Sequence, residues 1–132
     1  MDKEQYISAV FRQSRCDYYE AINTLSEKLG ESIVILNYFV SSTKLGNTWK
    51  LDNDTIWLFT ETDIIECKFS EQKYKYRFIP ICGLSNFELE FDNQISSINF
   101  DYIGDKISLT AIGQDYSEHL IQIYNDTINK VH

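Results

Sequence analysis

From Asp63 to Ile112 apolar and polar residues alternate almost one by one, in runs of seven or eight residues cut by short polar turns. A period of two puts successive side chains on opposite faces of a strand, and no helix can honour it. In 63–69, Ile65, Cys67 and Phe69 oppose Glu66 and Lys68. In 73–79, Tyr74, Tyr76 and Phe78 oppose Lys73, Lys75 and Arg77. Phe87, Leu89 and Phe91 oppose Glu88 and Glu90, and Ile98, Phe100 and Tyr102 oppose Ser97, Asn99 and Asp101. Ile107, Leu109 and Ala111 share a face of the last run. Pro80 cannot donate to a ladder and ends its strand, and Gly83 loosens the corner that follows. The turns fall at Ser70-Glu71-Gln72, Asp92-Asn93-Gln94 and the hairpin signal Gly104-Asp105. Turns this short join antiparallel neighbours, and one-sided alternation means that each strand buries one face.

Two more strands are expected upstream, at 33–39 and 55–60, with a polar loop over 41–48 and the turn-forming Asp52-Asn53-Asp54 between them. Helices flank the seven strands. Over 3–29, Ile7, Val10, Phe11, Tyr18, Ala21, Ile22, Leu25 and Leu29 recur at spacings of three and four, and Gly30 stands where a left-handed cap is wanted. Over 115–131, Asp115 and Glu118 form a capping-box pair, and Leu120, Ile121, Tyr124, Ile128 and Val131 form the apolar stripe. The chain thus reads as one α+β domain over residues 1–132. Seven antiparallel strands (31–112) form a sandwich or partly open barrel, the C-terminal helix (115–131) closes one end, and the N-terminal helix (3–29) packs outside.

The 132 residues are 43% apolar and 24% charged, enough for a core without disulfides or metal. A net charge of −8 repels phosphate backbones, so no nucleic-acid partner is expected. Three cysteines, an odd number without a CxxC spacing, suit a reducing compartment. The amino terminus lacks the ordered regions of a signal peptide. The longest apolar run, 33–40, contains Asn37 and falls far short of the roughly 20 residues that span a bilayer. A cytoplasmic protein without integral membrane contact is expected.

Three stretches, DNDTIWLFTETDIIECKF (52–69), YRFIPICGLSNFELEF (76–91) and GDKISLTAIGQDYSEHLIQIYNDTINK (104–130), resemble the pleckstrin-homology superfold in its bacterial, GRAM-like form. The resemblance runs from about residue 31 to 132. It implies a seven-stranded barrel or sandwich closed by a C-terminal helix, with the long N-terminal helix as an addition. The closing helix lacks the tryptophan of many eukaryotic members. The family's spaced basic residues in the first hairpin loop are not evident in 41–50, which counts against lipid-headgroup binding. The whole chain also resembles a family of small Bacillus-type proteins that carries no assigned function.

Residues 68–77 carry a net charge of +3, with Tyr74 and Tyr76 interleaved among Lys68, Lys73, Lys75 and Arg77. They read either as a binding hairpin for an anionic partner or as a solvated outer face that blunts an edge strand. Residues 83–132 sum to −6. Glu88, Glu90, Asp92 and Asp101 would gather on one side, as a solubilising face or as an acidic patch for a basic partner; the Asp-rich calcium loop is missing. Arg12, Arg15 and Tyr19, with Tyr6, lie on the outer side of the N-terminal helix, where a partner or a second copy would dock. Two histidines, His119 and His132, and Cys16, Cys67 and Cys82 offer no metal set, and a Cys82–His119 pair has nothing to orient it. No catalytic motif occurs, so no catalytic residue, cofactor or metal is expected. The expected role is a non-enzymatic binding module working through protein contacts, with homo-oligomerisation open. The alternatives are an acidic inhibitor or immunity-type protein acting through Glu88, Glu90 and Asp101, and a small-ligand binder or enzyme using an aromatic pocket.

Overall fold

The computed structural model describes residues 15–92, 94–112 and 116–131. In chain order these form α1 (Tyr18–Leu29), β1 (Asn37–Phe39), β2 (Ser42–Leu45), β3 (Thr48–Leu51), β4 (Thr55–Phe59), β5 (Asp63–Ser70), β6 (Lys73–Pro80), a 3-10 turn (Ile81–Gly83), β7 (Ser85–Phe91), β8 (Ile95–Tyr102), β9 (Asp105–Ile112) and α2 (Ser117–Ile123). A π turn (Tyr124–Ile128) carries α2 into a final helical turn, α3 (Asn129–Val131). The class is α+β with antiparallel strands, as expected.

The N-terminal helix is shorter than its periodicity suggests. Arg15 to Asp17 are not helical, and residues 1–14 lie outside the described residues. Asp17 is the N-cap, its carboxylate accepting from the Glu20 N–H at 2.9 Å, and the Arg15 N–H donates to the Asn53 carbonyl. These bonds hold the backbone of 15–17 off the helical path.

Among the described residues nine strands replace the expected seven. Only Asn37–Phe39 of the apolar run 33–39 is strand, because its partner β4 ends at Phe59, opposite Asn37. The segment read as a polar loop is instead the outer half of a hairpin. β1 pairs with β4 and β2 with β3, and Asp52–Asp54 are extra residues on one side of the ribbon. The Asp52 N–H bonds the Ser41 carbonyl at 2.8 Å across the break, and Gly46, at φ 64, turns the tip. One long bent ribbon thus accounts for four of the strands.

The strands form a four-stranded sheet in the order β1-β4-β5-β6, the β2-β3 pair, and a three-stranded sheet β7-β8-β9, all antiparallel. No strand pair links the three among the described residues, so no closed barrel is present. β2 lies against β9, and the Ser41 hydroxyl accepts from the Thr110 N–H at 3.0 Å. The buried apolar residues form one cluster.

The four-stranded sheet is covered on both faces. Tyr38, Ile56, Leu58, Ile65, Cys67 and Tyr76 share the face under α1: Tyr18 packs on Tyr38, and the Tyr76 hydroxyl donates to the Ala21 carbonyl at 2.6 Å. Tyr74 and Tyr76 therefore lie beneath the N-terminal helix, not between the sheets. Phe39, Phe59, Ile64 and Ile79 share the opposite, inner face, where Phe39 stacks on His119 of α2. Each such fully buried side chain contributes about 1.5–3 kcal/mol of transfer free energy.

α2 begins after Tyr116, one residue later than expected; Asp115 lies outside the described residues. Its buried stripe is Tyr116, Leu120, Ile123 and Thr127, at helical spacing, with His119 and Ile128 beside it. Ile121, placed in the stripe by the sequence reading, is 42% exposed. The β8–β9 turn uses Ile103-Gly104, both at positive φ, so β9 starts at Asp105.

Candidate interaction surface

Capping builds a concave site at the end of α1. α1 stops at Gly30, at φ 70, where Gly30 N–H bonds the Glu27 carbonyl at 3.3 Å and Glu31 N–H the Ser26 carbonyl at 3.2 Å. The Ile33 N–H then donates to the Ser26 hydroxyl, and the Leu36 N–H to the Phe59 carbonyl at 2.8 Å. This brings 31–34 alongside the β4–β5 turn. There the Thr60 hydroxyl accepts from the Asp63 N–H at 2.9 Å, and the Thr62 hydroxyl donates to Asp63 Oδ2 at 2.7 Å.

Between these two pinned segments lies a groove of about 370 Å³. Ile65 and Phe78 supply its floor, Leu29, Ile33 and Val34 an apolar wall, and Glu31, Glu61 and Asp63 its charges. Val34 is 70%, Leu29 50% and Phe78 43% exposed. Among the described residues no lysine or arginine lines the groove, and none of the three carboxylates is ion-paired. Apolar surface left in water beside unpaired negative charge favours an apolar occupant bearing positive charge.

The expected basic surface is partly consumed. Arg77 Nε pairs with Glu66 Oε1 at 3.2 Å across β5–β6. Lys73 and Lys75 remain exposed, with Lys75 directly opposite Lys68. On α1, Tyr19 stands outward, its ring edge-on to Tyr18, and Arg15 is exposed before the cap; Arg12 and Tyr6 lie outside the described residues. The acidic residues do share one face of β7–β8, but two of them are engaged within the fold. Asp101 accepts from the Asn86 side chain at 2.7 Å, at a bulge where Asn86 has φ 56, and Glu90 accepts from Asn99 at 3.3 Å. Glu88 is exposed.

Cys16 and Cys67 meet under α1, Sγ to Sγ 3.9 Å, both buried. The contact with Cys16, and then burial, push the Cys67 thiol far above its ordinary range, so it stays protonated and a poor nucleophile. Cys82 is exposed on the 3-10 turn, whereas the buried His119 ring meets the Tyr38 carbonyl at 2.9 Å; the structure prepares no Cys82–His119 dyad. Burial raises Tyr18, with its neighbour Tyr19 adding to the shift, and Tyr74, helped by Glu20, each to about 12. At the base of the bent hairpin a polar pocket of about 280 Å³ holds Asp52, Asp54, Glu66 and Lys68 over Trp57. Burial raises the Asp52 carboxyl even though the Thr43 hydroxyl bonds both its oxygens. Among the described residues no group of His, Cys, Asp or Glu is placed to hold a metal ion, and no helix is long and apolar enough to cross a membrane.

A second feature lies at the tip of the β2–β3 hairpin, where Leu45 and Trp49 are exposed between Lys44 and Lys50. Neither lysine is ion-paired among the described residues. No sequence pattern marks either this tip or the groove. The apolar positions of 33–40 and the cations of 44 and 50 were visible as residues, but their placement depends on the cap at Gly30 and on the ribbon's bend. Comparison of the chain with protein-family models, with curated proteins and with solved structures finds no match.

Proposed function

We propose that the protein is a non-enzymatic binding module of pleckstrin-homology-like architecture that acts through protein contacts. The observation that carries this reading is the groove beside α1. Three large apolar side chains, Leu29, Val34 and Phe78, stand in water around one concavity whose backbone is held by caps and turn hydrogen bonds. A pre-formed apolar concavity of this kind marks an interaction site, since its residues gain burial only from a partner. The architectural part of the proposal is supported by the strand order. Counted as two bent strands, the long hairpin gives seven ribbons, four in one sheet and three in the next, followed by a helix on the inner face.

The test is capture from an extract of the cells that express the chain. The baits are the full chain, a Val34→Asp/Phe78→Ser variant and a Lys73→Glu/Lys75→Glu variant, each checked for a native thermal transition. A defined protein retained in stoichiometric amount and lost with one of the two variants is the expected result. Identical, substoichiometric retention on all three baits would overturn the reading.

A further inference from the structure

We infer that the groove beside α1 of one chain receives the β2–β3 hairpin tip of a second copy, in a head-to-tail contact. The groove offers apolar walls and three carboxylates, Glu31, Glu61 and Asp63, that no cation pairs among the described residues. Its occupant should therefore present exposed apolar side chains flanked by cations. The segment Lys44–Lys50, KLGNTWK, has that chemistry: exposed Trp49 shares one face of the hairpin with Lys44, exposed Leu45 shares the other with Lys50, and neither lysine is ion-paired among the described residues. The other exposed apolar tips carry the wrong sign. Ile103 stands between Asp101 and Asp105, and Phe91 between Glu90 and Asp92, so the carboxylates of the groove repel both. The aromatics beside Lys73 and Lys75 are under α1.

The tip does not fill the groove of its own chain. Both belong to the same ribbon, the groove at its β4–β5 end and the tip at the β2–β3 turn. Leu45 at the tip is 56% and Val34 in the groove 70% exposed, so neither covers the other, and the ribbon between them bends at Asp52–Asp54. Donor and acceptor at opposite ends of one ribbon give a heterologous contact, which propagates as a series or closes as a ring.

The inference rests on the protein-contact reading, and its test separates the two. Sedimentation of the full chain is followed up to about 1 mM, in low and high salt. The average mass should climb above the 15.5 kDa monomer and fall back as salt screens the lysine–carboxylate pairs. Val34→Asp, which closes the groove, and Leu45→Asp, which disables the tip, should each be monomeric alone. Mixed, they retain one good groove and one good tip, and should form dimers and nothing larger. A synthetic KLGNTWK peptide should bind the groove and lose affinity about threefold to tenfold with Glu61→Lys. Both substituted positions are exposed, and should Leu45→Asp fail to show a native transition, Lys44→Glu/Lys50→Glu replaces it. A chain that stays monomeric, or an oligomer indifferent to the variants, overturns the inference. A monomer that still captures another protein in a Val34-dependent way sinks the inference and leaves the protein-contact reading standing.

Discussion

Ile103 is a β-branched residue at φ 50, 80% exposed, at the first position of the two-residue β8–β9 turn. With Gly104 at φ 81 the turn has the positive φ pair of a type I′ hairpin, for which Asn-Gly is the favoured dipeptide. Holding a non-glycine L-residue in the left-handed region costs about 1–2 kcal/mol, and a β-branched residue is among the worst suited. What Ile103 returns is small. At one-fifth buried it recovers about 0.3–0.6 kcal/mol of the roughly 1.5–3 kcal/mol that full burial of an isoleucine contributes. Asn tolerates this conformation, so Ile103→Asn should stabilise the chain by about 1 kcal/mol. In a urea titration with m near 2 kcal/mol/M, that moves the midpoint upward by about 0.5 M at unchanged slope. The corresponding rise in Tm is about 3–6 °C for a domain of this size. Ile103→Ala is the control, since it removes the side chain but keeps a left-handed cost, and it should stay within about 0.5 kcal/mol of the parent. A lower midpoint for Ile103→Asn would refute the reasoning, because it would mean that the isoleucine packs or that the turn has another conformation.

The closing helix and the tyrosines under α1 yield two further expectations. Leu120 is fully buried and Ile121, its neighbour on the same helix, is 42% exposed; Leu120→Ala should cost about 3–4 kcal/mol and Ile121→Ala about 1 kcal/mol or less, compared by urea unfolding. Equal costs would show that this face of the helix does not close the interior. Tyr18 and Tyr74 titrate near 12 when folded against 10.0 unperturbed, so above pH 10 the unfolded chain releases these protons first. Stability should then decline from about pH 10 through about pH 12, with phenolate absorbance lagging behind that of a tyrosine model compound; a phenolate titration complete near pH 10 in the folded chain would contradict the cover by α1.

Much of the strand layer is legible because the sequence alternates along β5 to β9, although in β8 Ser96 to Phe100 are all buried and at the end of β6 Phe78 is exposed and Ile79 buried. Ile65, Cys67, Phe69, Tyr74 and Tyr76 do share a face, as their spacing requires. Which layer covers that face is not encoded in the alternation. The pattern Lys-Tyr-Lys-Tyr-Arg is the same whether a second sheet or a helix lies over the tyrosines, and here the helix does. The bent hairpin is illegible for another reason. Its outer half, Ser42–Leu51, is exposed on nearly all sides, so no hydrophobic period marks it and only Gly46 signals the turn. In the closing helix, a π turn at Tyr124–Ile128 interrupts the 3.6-residue repeat, and extrapolation through it places Ile121 inward in place of Ile123.

The groove follows from a mismatch of lengths that neither element reveals alone. Twelve residues of α1 at 1.5 Å each make a helix about 18 Å long, whereas the eight-residue strands β5 and β6 extend about 26 Å. Cys67 and Tyr76 are under the helix, but Ile65 and Phe78, one step further toward the β4–β5 turn, form the floor where Leu29 ends it. The chain leaving Gly30 then roofs only part of that remainder before Leu36 bonds to Phe59 and enters the sheet. Lengthening α1 would require a residue able to continue the helix in place of Gly30, whose φ of 70 turns the chain away. A Gly30→Ala substitution pays the left-handed penalty without removing the two capping bonds, so it should loosen the 31–34 wall before it extends the helix. The shape of the groove is therefore set by a cap at one residue, and the contact proposed for it depends on that cap as directly as on the residues that line it.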